Sequence, residues 1–154
     1  MNKISVLAGR MVFWAGWPVL WIYLLRSTRT RIIIEFDGKI LVLKNRLNND
    51  RWSLPGGGLH RGEDPTNGVV RELYEETGIT IKTTDVAEIS RGQINHRGLR
   101  YSVVSFCAKM VSSPVLNIQR LEVAEASWLM PEDLDISNTS YDAMMIIDQW
   151  KQGR

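Results

Sequence analysis

The sequence predicts an α/β fold in one domain, with elements in the order strands, loop, helix, strands and late helix. Two apolar runs lie on either side of Asp37-Gly38, a dipeptide typical of β-hairpin turns. Between Pro65 and Thr77 the chain carries the start and stop signals of a helix. A further apolar run follows from Tyr101 to Met110. At 154 residues the chain is long enough to bury a substantial core.

The first hairpin is predicted between Thr30 and Lys44. Its first strand, Thr30–Phe36, contains consecutive isoleucines at 32–34, which indicates burial on both faces of a sheet. Its partner, Lys39–Lys44, carries a run of apolar residues after the turn. The polar segment that follows this strand is predicted to be a loop.

The helix from Pro65 to Thr77 is predicted from its ends and its faces. Asp64 is a favourable N-cap, and Pro65 stands at the first helical position, where its missing N–H costs nothing. Gly78 suits the left-handed residue that ends a helix. At about 100° per residue, one face is acidic and the neighbouring face is apolar. The acidic residues are Glu72, Glu75 and Glu76, and the apolar face carries Val69, Val70, Leu73 and Thr77.

The acidic face indicates a bound cation. Carboxylates at positions i, i+3 and i+4 repel one another, and no lysine stands among them, so a cation is needed to offset the cost. Oxygen ligands favour Mg²⁺ or Mn²⁺, and Mg²⁺ commonly brings substrate phosphates with it. The alternative is a solvated acidic face. The glycines at 56–58 favour a site for the cation and its substrate phosphates over a solvated face, because they allow the backbone to approach a ligand closely.

The segment from Gly57 to Ile79 resembles the Nudix box, G-x5-E-x7-R-E-U-x-E-E-x-G-U, in which U is apolar, and every defined position matches. The resemblance covers about residues 30–150. It implies the Nudix fold, an α/β/α sandwich around a mixed β-sheet. It also implies a divalent-metal-dependent pyrophosphohydrolase, in which a metal-activated water cleaves a nucleoside diphosphate linked to a group X. A (d)NTP or another nucleotide derivative is the expected substrate.

The resemblance implies a role for each residue of the box. The ligands of Mg²⁺ or Mn²⁺ would be the backbone carbonyl of Gly57 and the side chains of Glu72, Glu75 and Glu76. Glu63 would lie near the metal and assist deprotonation of water, and Arg71 would orient the glutamates through charge-assisted hydrogen bonds. The predicted catalytic residues are Glu63, Arg71, Glu72 and Glu76. The glycines predicted to contact substrate are Gly56, Gly57 and Gly58.

Three basic residues outside the helix are further candidates for substrate binding. His60 is expected either to contact phosphate or to be an exposed loop residue. The segment Ser90–Arg100 is predicted to be a hairpin loop that carries Arg97 and Arg100. These two arginines either meet substrate phosphates or belong to a solvated basic turn.

Two late acidic residues have alternative interpretations as well. Residues 121–129 resemble the E-x-x-E-A-x-W strand found late in many Nudix domains. In that family a glutamate near this place can act as base or extra metal ligand, which makes Glu122 and Glu125 candidates. The alternative is that both are ordinary surface acids.

The remaining elements complete the predicted order. Ile79–Ile89 is expected to be a strand, with Ile79 and Ile81 on one face. A last helix is predicted to begin after an Asn138 or Thr139 cap and to run to about Lys151.

The N-terminal segment has an unusual composition. Fifteen residues from Met11 to Leu25 carry no charge, and Trp14, Trp17 and Trp21 would share one face of a helix. We divide the chain into a hydrophobic helix with basic linker, 1–29, and a Nudix hydrolase domain, 30–154. Three interpretations of residues 4–25 stay open: a membrane anchor or interfacial helix, a helix packed on the domain or on a second copy in a homodimer, and a cleaved signal peptide.

Composition limits the partners and the functions. The net charge of +2 argues against a chain-wide nucleic-acid surface, so a nucleotide-type small molecule is the expected partner. The single cysteine, Cys107, allows no internal disulfide, which suits a protein of the cytoplasm. If the N-terminal helix is an anchor, the protein is expected in the cytoplasm but tethered to a membrane. Two alternative functions remain: a non-catalytic nucleotide-sensing Nudix domain, and a membrane-associated hydrolase of a lipid- or sugar-linked diphosphate.

Overall fold

The structure, a computed structural model, describes residues 28–46, 50–96 and 99–153. The hydrophobic helix predicted over residues 4–25 lies outside these ranges. Among the described residues, no helix has the length and apolar character needed to cross a membrane. The strands are β1 Thr28–Phe36, β2 Lys39–Asn45, β3 Trp52–Ser53, β4 Ala87–His96, β5 Leu99–Lys109 and β6 Val123–Leu129. The helices are α1 Pro65–Thr77 and α2 Tyr141–Gln152.

The strands form one mixed, six-stranded sheet in the order β3-β2-β1-β5-β4, with β6 paired to β2. β1 runs parallel to β5 from Thr28↔Ser102 to Glu35↔Lys109. The other pairs, β1–β2, β2–β3, β2–β6 and β4–β5, are antiparallel. At the β1–β2 turn Asp37 and Gly38 have φ angles of 51° and 74°, as a tight hairpin turn requires.

The segment from Trp52 to Leu59 lies between the first two strands. β1 and β2 pair only beside their turn, at Glu35↔Ile40 and Phe36↔Lys39. β3 pairs with the distal half of β2, and the following residues hydrogen-bond to the first half of β1. These bonds are Thr30 N–H to the Gly57 carbonyl (2.8 Å), Ile32 N–H to the Pro55 carbonyl (2.9 Å) and Leu59 N–H to the Thr28 carbonyl (3.0 Å). The glycines are therefore held by the sheet backbone.

Each face of the sheet is covered by one helix, which confirms the α/β/α sandwich. The isoleucines at 32–34 are all fully buried and alternate between the faces. The core under α1 contains Ile32, Ile34, Leu41, Leu43, Val69, Leu73, Val104 and Phe106. The core under α2 contains Ile33, Ile40, Val42, Ile94, Val103, Ala143, Ile146 and Ile147.

Helix α1 begins and ends where its sequence signals predict. The Asp64 carboxylate accepts hydrogen bonds from the N–H groups of Thr66 (2.9 Å) and Asn67 (3.2 Å). Gly78 is left-handed, with φ of 73°, and its N–H donates to the Tyr74 carbonyl (2.8 Å). These caps fix the length of the helix that carries the acidic cluster.

The predicted bounds of the strand after α1 were wrong. Ile79–Ile89 is not a strand from its start: residues up to Val86 are irregular and include a short 3₁₀ turn at Thr83–Asp85. Ser90–Arg100 is not a loop, because β4 extends to His96 and pairs with β5 along its length. β4 is an edge strand, and its mostly exposed polar residues gave it the composition of a loop.

The start of the last helix also differs from the prediction. The N-cap position is Ser140 rather than Asn138 or Thr139. Asn138 instead closes a local turn, in which its N–H donates to the Asp135 carboxylate (3.1 Å) and its amide donates to the Asp133 carbonyl (2.9 Å). Thr139 is fully buried and lies in an isolated bridge with Trp52.

Candidate active site

Arg71 is the centre of the polar network on α1. Its Nε and Nη2 donate to the two carboxylate oxygens of Glu63, both at 2.9 Å. Its Nη1 donates to Glu72 Oε1 (2.8 Å) and to Glu75 Oε2 (3.0 Å), and Nη2 also reaches the Gly58 carbonyl (3.2 Å). One planar guanidinium therefore connects three glutamates and the glycine loop, a geometry that a lysine ammonium cannot reproduce.

Glu63 is held as an anion by these contacts. The hydrogen bonds from Arg71 are the main reason that the pKa of Glu63 falls to about 2. The His60 N–H adds a bond to Glu63 Oε2 (2.8 Å), whereas the His60 side chain is 71% exposed and its Nδ1 lies 3.8 Å from that oxygen. His60 thus contributes its backbone to the site, and its ring faces solvent.

Glu76 is the buried member of the acidic cluster. It is 5% exposed, and its Oε2 accepts a hydrogen bond from the Gly56 N–H (2.8 Å). Burial raises the pKa of Glu76 to about 7, and burial also raises the pKa of Glu72. The negative charge of Glu122 adds to the upward shift of the pKa at both residues. In the protein without metal, this end of the helix therefore carries acids that resist ionisation.

The glycine loop fits this cluster only because two of its residues lack Cβ atoms. A Cβ on Gly57 would lie 2.4 Å from Glu72 Oε2, well inside contact distance. A Cβ on Gly56, whose φ is 130°, would lie 2.3 Å from the Thr30 carbonyl oxygen. Gly58 is exposed and has open space around it. The loop backbone thus packs directly against the carboxylates of the helix.

The donor atoms at this place fit a hard divalent cation. They are all oxygens: the carboxylates of Glu72, Glu75 and Glu76, and the Gly57 carbonyl, which already accepts one bond from β1. Across the described ranges no three acidic, His or Cys side chains already stand in a metal-binding arrangement. Arg71 occupies one oxygen each of Glu72 and Glu75, and the Gly56 N–H occupies one of Glu76. Each carboxylate keeps a second oxygen with which to bind an ion.

The structure distinguishes the two late glutamates. Glu122 lies in the turn before β6, where its carbonyl accepts from the Arg46 N–H (2.9 Å), and its charge acts on Glu72 and Glu76. Glu125 lies in β6 opposite Lys44, whose Nζ donates to its carboxylate at 2.9 Å. Of the two, Glu122 is the one with an electrostatic connection to the box.

Of the two arginines predicted in the β4–β5 hairpin, the structure describes only Arg100. Arg97 lies outside the described residues. The Arg100 guanidinium is exposed and donates twice to Gln93 Oε1 across the hairpin, at 3.0 and 2.7 Å. These bonds support the solvated interpretation of Arg100.

Sequence reasoning missed one pair of residues beside the glycine loop. Arg31 on β1 donates through Nε to Asp142 Oδ2 (2.9 Å) and through Nη1 to the Gly56 carbonyl. Their side chains are only 12% and 9% exposed. Burial opposes the ionisation of Asp142, but the Arg31 charge and the hydrogen bonds to the carboxylate together outweigh it and lower the pKa of Asp142. The signal that could have found the pair is an arginine inside an otherwise buried strand, which needs an acidic partner.

Comparison with known families identifies the class of protein. The sequence profile of the NUDIX domain matches residues 25–147, which is most of the chain. The chain therefore belongs to the Nudix family, and the prediction of a MutT-like hydrolase acting on pyrophosphate bonds is confirmed at this level.

Particular relatives share parts of the chain. A MutT-like protein from Streptomyces ambofaciens is 26% identical over 117 residues, covering 76% of this chain and 71% of the relative. A nucleoside diphosphate-linked moiety X motif 6 protein from Xenopus laevis is 32% identical over 71% of this chain and 52% of its own. An RNA pyrophosphohydrolase from Psychrobacter cryohalolentis is 32% identical over 43% of this chain and 38% of its own. The last two matches thus span about half or less of each relative's length.

Solved structures of the family share the fold. A MutT Nudix hydrolase from Burkholderia pseudomallei superposes with a TM-score of 0.70 at 20% identity, covering 80% of this chain and 97% of that one. An Ap4A hydrolase from C. elegans superposes with a TM-score of 0.64 at 21% identity, covering 83% of this chain and 96% of that one. At these identities the likeness establishes the fold.

Proposed function

We propose that the chain is a divalent-metal-dependent pyrophosphohydrolase that cleaves a nucleoside diphosphate linked to a further group. The observation that carries this proposal is the close approach of the Gly57 backbone to Glu72, beside the buried Glu76. Carboxylate and carbonyl oxygens are the donors that suit Mg²⁺ or Mn²⁺ and the phosphates such ions accompany, and a bound cation would draw these donors together. A bound divalent cation would lower the pKa of a water molecule and offset charge on the phosphates.

The residues of the box divide this work between them. Glu72, Glu75 and Glu76, with the Gly57 carbonyl, would hold the cation. Arg71 keeps two of these glutamates in place, and Glu63 in turn fixes the guanidinium through two bonds. Because its pKa is about 2, Glu63 would orient Arg71 rather than take a proton from water near neutral pH.

Glu122 is the acid that we propose for a further role near the cation. Its charge acts on Glu72 and Glu76, and it lies in a turn outside the regular strand, where its side chain is exposed. An exposed carboxylate beside a metal site is placed to accept a proton or to supply another ligand. Replacing Glu122 with Gln should therefore slow turnover more than the same change at Glu125, whose carboxylate is paired with Lys44.

For the substrate we propose a (d)NTP or another nucleotide derivative. The names of the similar proteins support the class: RNA pyrophosphohydrolase, nucleoside diphosphate-linked moiety X motif 6 and Ap4A hydrolase all refer to nucleotides or RNA. The alternative of a nucleotide sensor without catalysis is less well supported, because all four acids of the box are present: three are bonded to Arg71, and Glu76 is bonded to the Gly56 N–H. Unused buried acids would be an uncompensated cost to the fold.

The test of this function is phosphate release from a substrate panel after coupling to a phosphatase. The panel contains (d)NTPs, nucleoside diphosphate sugars, ADP-ribose, dinucleoside polyphosphates and isoprenyl diphosphates, each with Mg²⁺, with Mn²⁺ and with chelator. We expect the protein to hydrolyse one substrate at a much higher rate than the others, and only when metal is present. Silence on every nucleotide in both metals would refute the proposed function, and turnover of the isoprenyl compounds alone would favour the lipid-linked alternative.

We also propose, from the sequence, that residues 4–25 bring the enzyme to a membrane surface from the cytoplasm. The support is the uncharged run, in which the spacing of Trp14, Trp17 and Trp21 would place them on one face of a helix, and the arginines that follow in the sequence. Co-sedimentation of the full chain with anionic vesicles is the expected result, and replacing the three tryptophans with serine should abolish it. If the full chain stays in the supernatant to the same extent as the serine variant, the proposal is contradicted.

A further inference from the structure

A chain of hydrogen bonds crosses the sheet from α2 to the acidic cluster on α1. Asp142, in the first turn of α2, accepts from Arg31 Nε at 2.9 Å. Arg31 Nη1 donates to the Gly56 carbonyl, and the Gly56 N–H donates to Glu76 Oε2 at 2.8 Å. Both polar groups of one glycine are thus used, the carbonyl toward one helix and the N–H toward the other.

The Gly56 backbone has little freedom to satisfy these bonds in another way. Its φ of 130° is open to glycine, and an added Cβ would meet the Thr30 carbonyl carbon and oxygen at 2.9 and 2.3 Å. Its neighbours are fixed as well, because the Pro55 and Gly57 carbonyls accept from β1. The Gly56 N–H and carbonyl lie in adjacent peptide planes that meet at its Cα, so a donor that binds the carbonyl helps to hold the φ and ψ angles of Gly56 and, with them, the contact of its N–H to Glu76.

We propose that Arg31, held by Asp142, is a positioning residue for the metal-binding face: it holds the backbone conformation of Gly56 and thereby orients Glu76. The inference rests on the proposed function, because it assumes that Glu76 binds the cation. The hydrogen bonds of Arg31 go to Asp142 and to the Gly56 carbonyl, and not to Glu76 itself. Its hydrogen bonds act through the loop backbone, and its charge also acts directly on Glu76, an effect that Arg31→Lys preserves.

The chemistry of the two side chains suits this role. A guanidinium presents several donors in a rigid plane, so that Asp142 and the Gly56 carbonyl fix its direction together. The pair is almost fully buried, which excludes water as a replacement donor for the carbonyl. A pair that only tied α2 to the sheet would not need the second bond to the loop.

The test separates positioning from simple stabilisation by using variants that keep the fold. Arg31→Lys keeps the positive charge and the ion pair with Asp142, but it lacks a second donor group, equivalent to Nη1, that could bind the Gly56 carbonyl. The double variant Arg31→Met with Asp142→Leu removes equal and opposite charges, and apolar replacement of a buried ion pair is often neutral or stabilising. Gln149→Ala is the matched control, because Gln149 contacts Ser90 at 2.7 Å and so links α2 to the sheet away from the glycine loop.

The measured quantities are the dissociation constant of Mn²⁺ by EPR without substrate, the urea midpoint, and kcat and KM. Both Arg31 variants are expected to bind Mn²⁺ about 10- to 100-fold more weakly, the usual effect of losing a residue that supports a metal ligand. At subsaturating Mn²⁺ their kcat should fall, KM should change little, and excess Mn²⁺ should restore much of the turnover. Gln149→Ala should keep the wild-type affinity for Mn²⁺.

Two failures can be told apart. If the wild-type protein binds no Mn²⁺, the proposed function itself is wrong. If the wild type binds Mn²⁺ and either Arg31 variant binds it equally well while folded, Arg31 is not a positioning residue. Weaker binding in Gln149→Ala to the same extent would also overturn the proposal, because any loosening of α2 would then suffice.

Discussion

Replacing Glu76 with glutamine should stabilise the metal-free protein and remove its activity at the same time. The carboxylate is 5% exposed, and burial raises its pKa from an ordinary 4.5 to about 7. At roughly 1.4 kcal/mol for each unit of pKa, raising the pKa from 4.5 to about 7 means that ionised Glu76 costs the fold about 3–4 kcal/mol. Because the pKa is higher in the folded state, this stability is complete below pH 4.5 and is lost as pH rises through 7.

Urea unfolding in chelator at pH 5 and pH 8 measures the effect. Glutamine carries no charge and can still accept the Gly56 N–H bond, so Glu76→Gln should be more stable than wild type by about 1–3 kcal/mol at pH 8. At pH 5 the gain should largely vanish. A divalent cation at ten times its dissociation constant should stabilise wild type by about 1.4 kcal/mol and leave the variant unchanged.

A matched control is the same change at Glu132, an exposed acid in the turn before α2. Glu132→Gln should respond to metal as wild type does, because its side chain lies on the surface away from the acidic helix. A Glu76→Gln protein that is less stable than wild type at pH 8 in chelator would refute the burial argument. A fully active Glu76→Gln protein would refute the metal assignment.

Three further substitutions have definite expectations. Gly57→Ala should displace Glu72, whose Oε2 would lie 2.4 Å from the new Cβ, and should lower Mn²⁺ affinity and kcat by about 10-fold or more, measured by EPR and phosphate release. Arg71→Lys cannot contact three glutamates in one plane and should lower kcat by about 10- to 100-fold, with circular dichroism unchanged. Leu73→Ala, at a fully buried position, should cost about 2–5 kcal/mol in urea unfolding without a specific effect on metal affinity.

Local signals made the central helix predictable from sequence. Asp64 and Gly78 act within one helical turn of their own positions, so the bounds Pro65–Thr77 follow from neighbouring residues alone. The buried hairpin was also predictable, because three adjacent isoleucines are typical of a strand that is buried on both faces of a sheet. The spacing of the box acids then indicated the candidate site.

Long-range contacts account for what the sequence could not predict. Arg31 and Asp142 are 111 residues apart, and nothing near either residue shows that they meet beside Gly56. The choice between Glu122 and Glu125 depends on the β2–β6 register, which places Glu125 opposite Lys44. The polar edge strand β4 was taken for a loop because its pairing with β5, rather than its own composition, makes it a strand.

The most direct test of the central claim is metal add-back on the best substrate of the panel. Wild-type protein is stripped with chelator, freed of it, and assayed for phosphate release as Mg²⁺ or Mn²⁺ is returned. We predict no turnover without metal, saturable recovery on addition, and no recovery in Glu76→Gln at the same concentrations. Full turnover of the stripped wild type, or equal recovery in Glu76→Gln, would contradict the assignment of the acidic helix as the metal site.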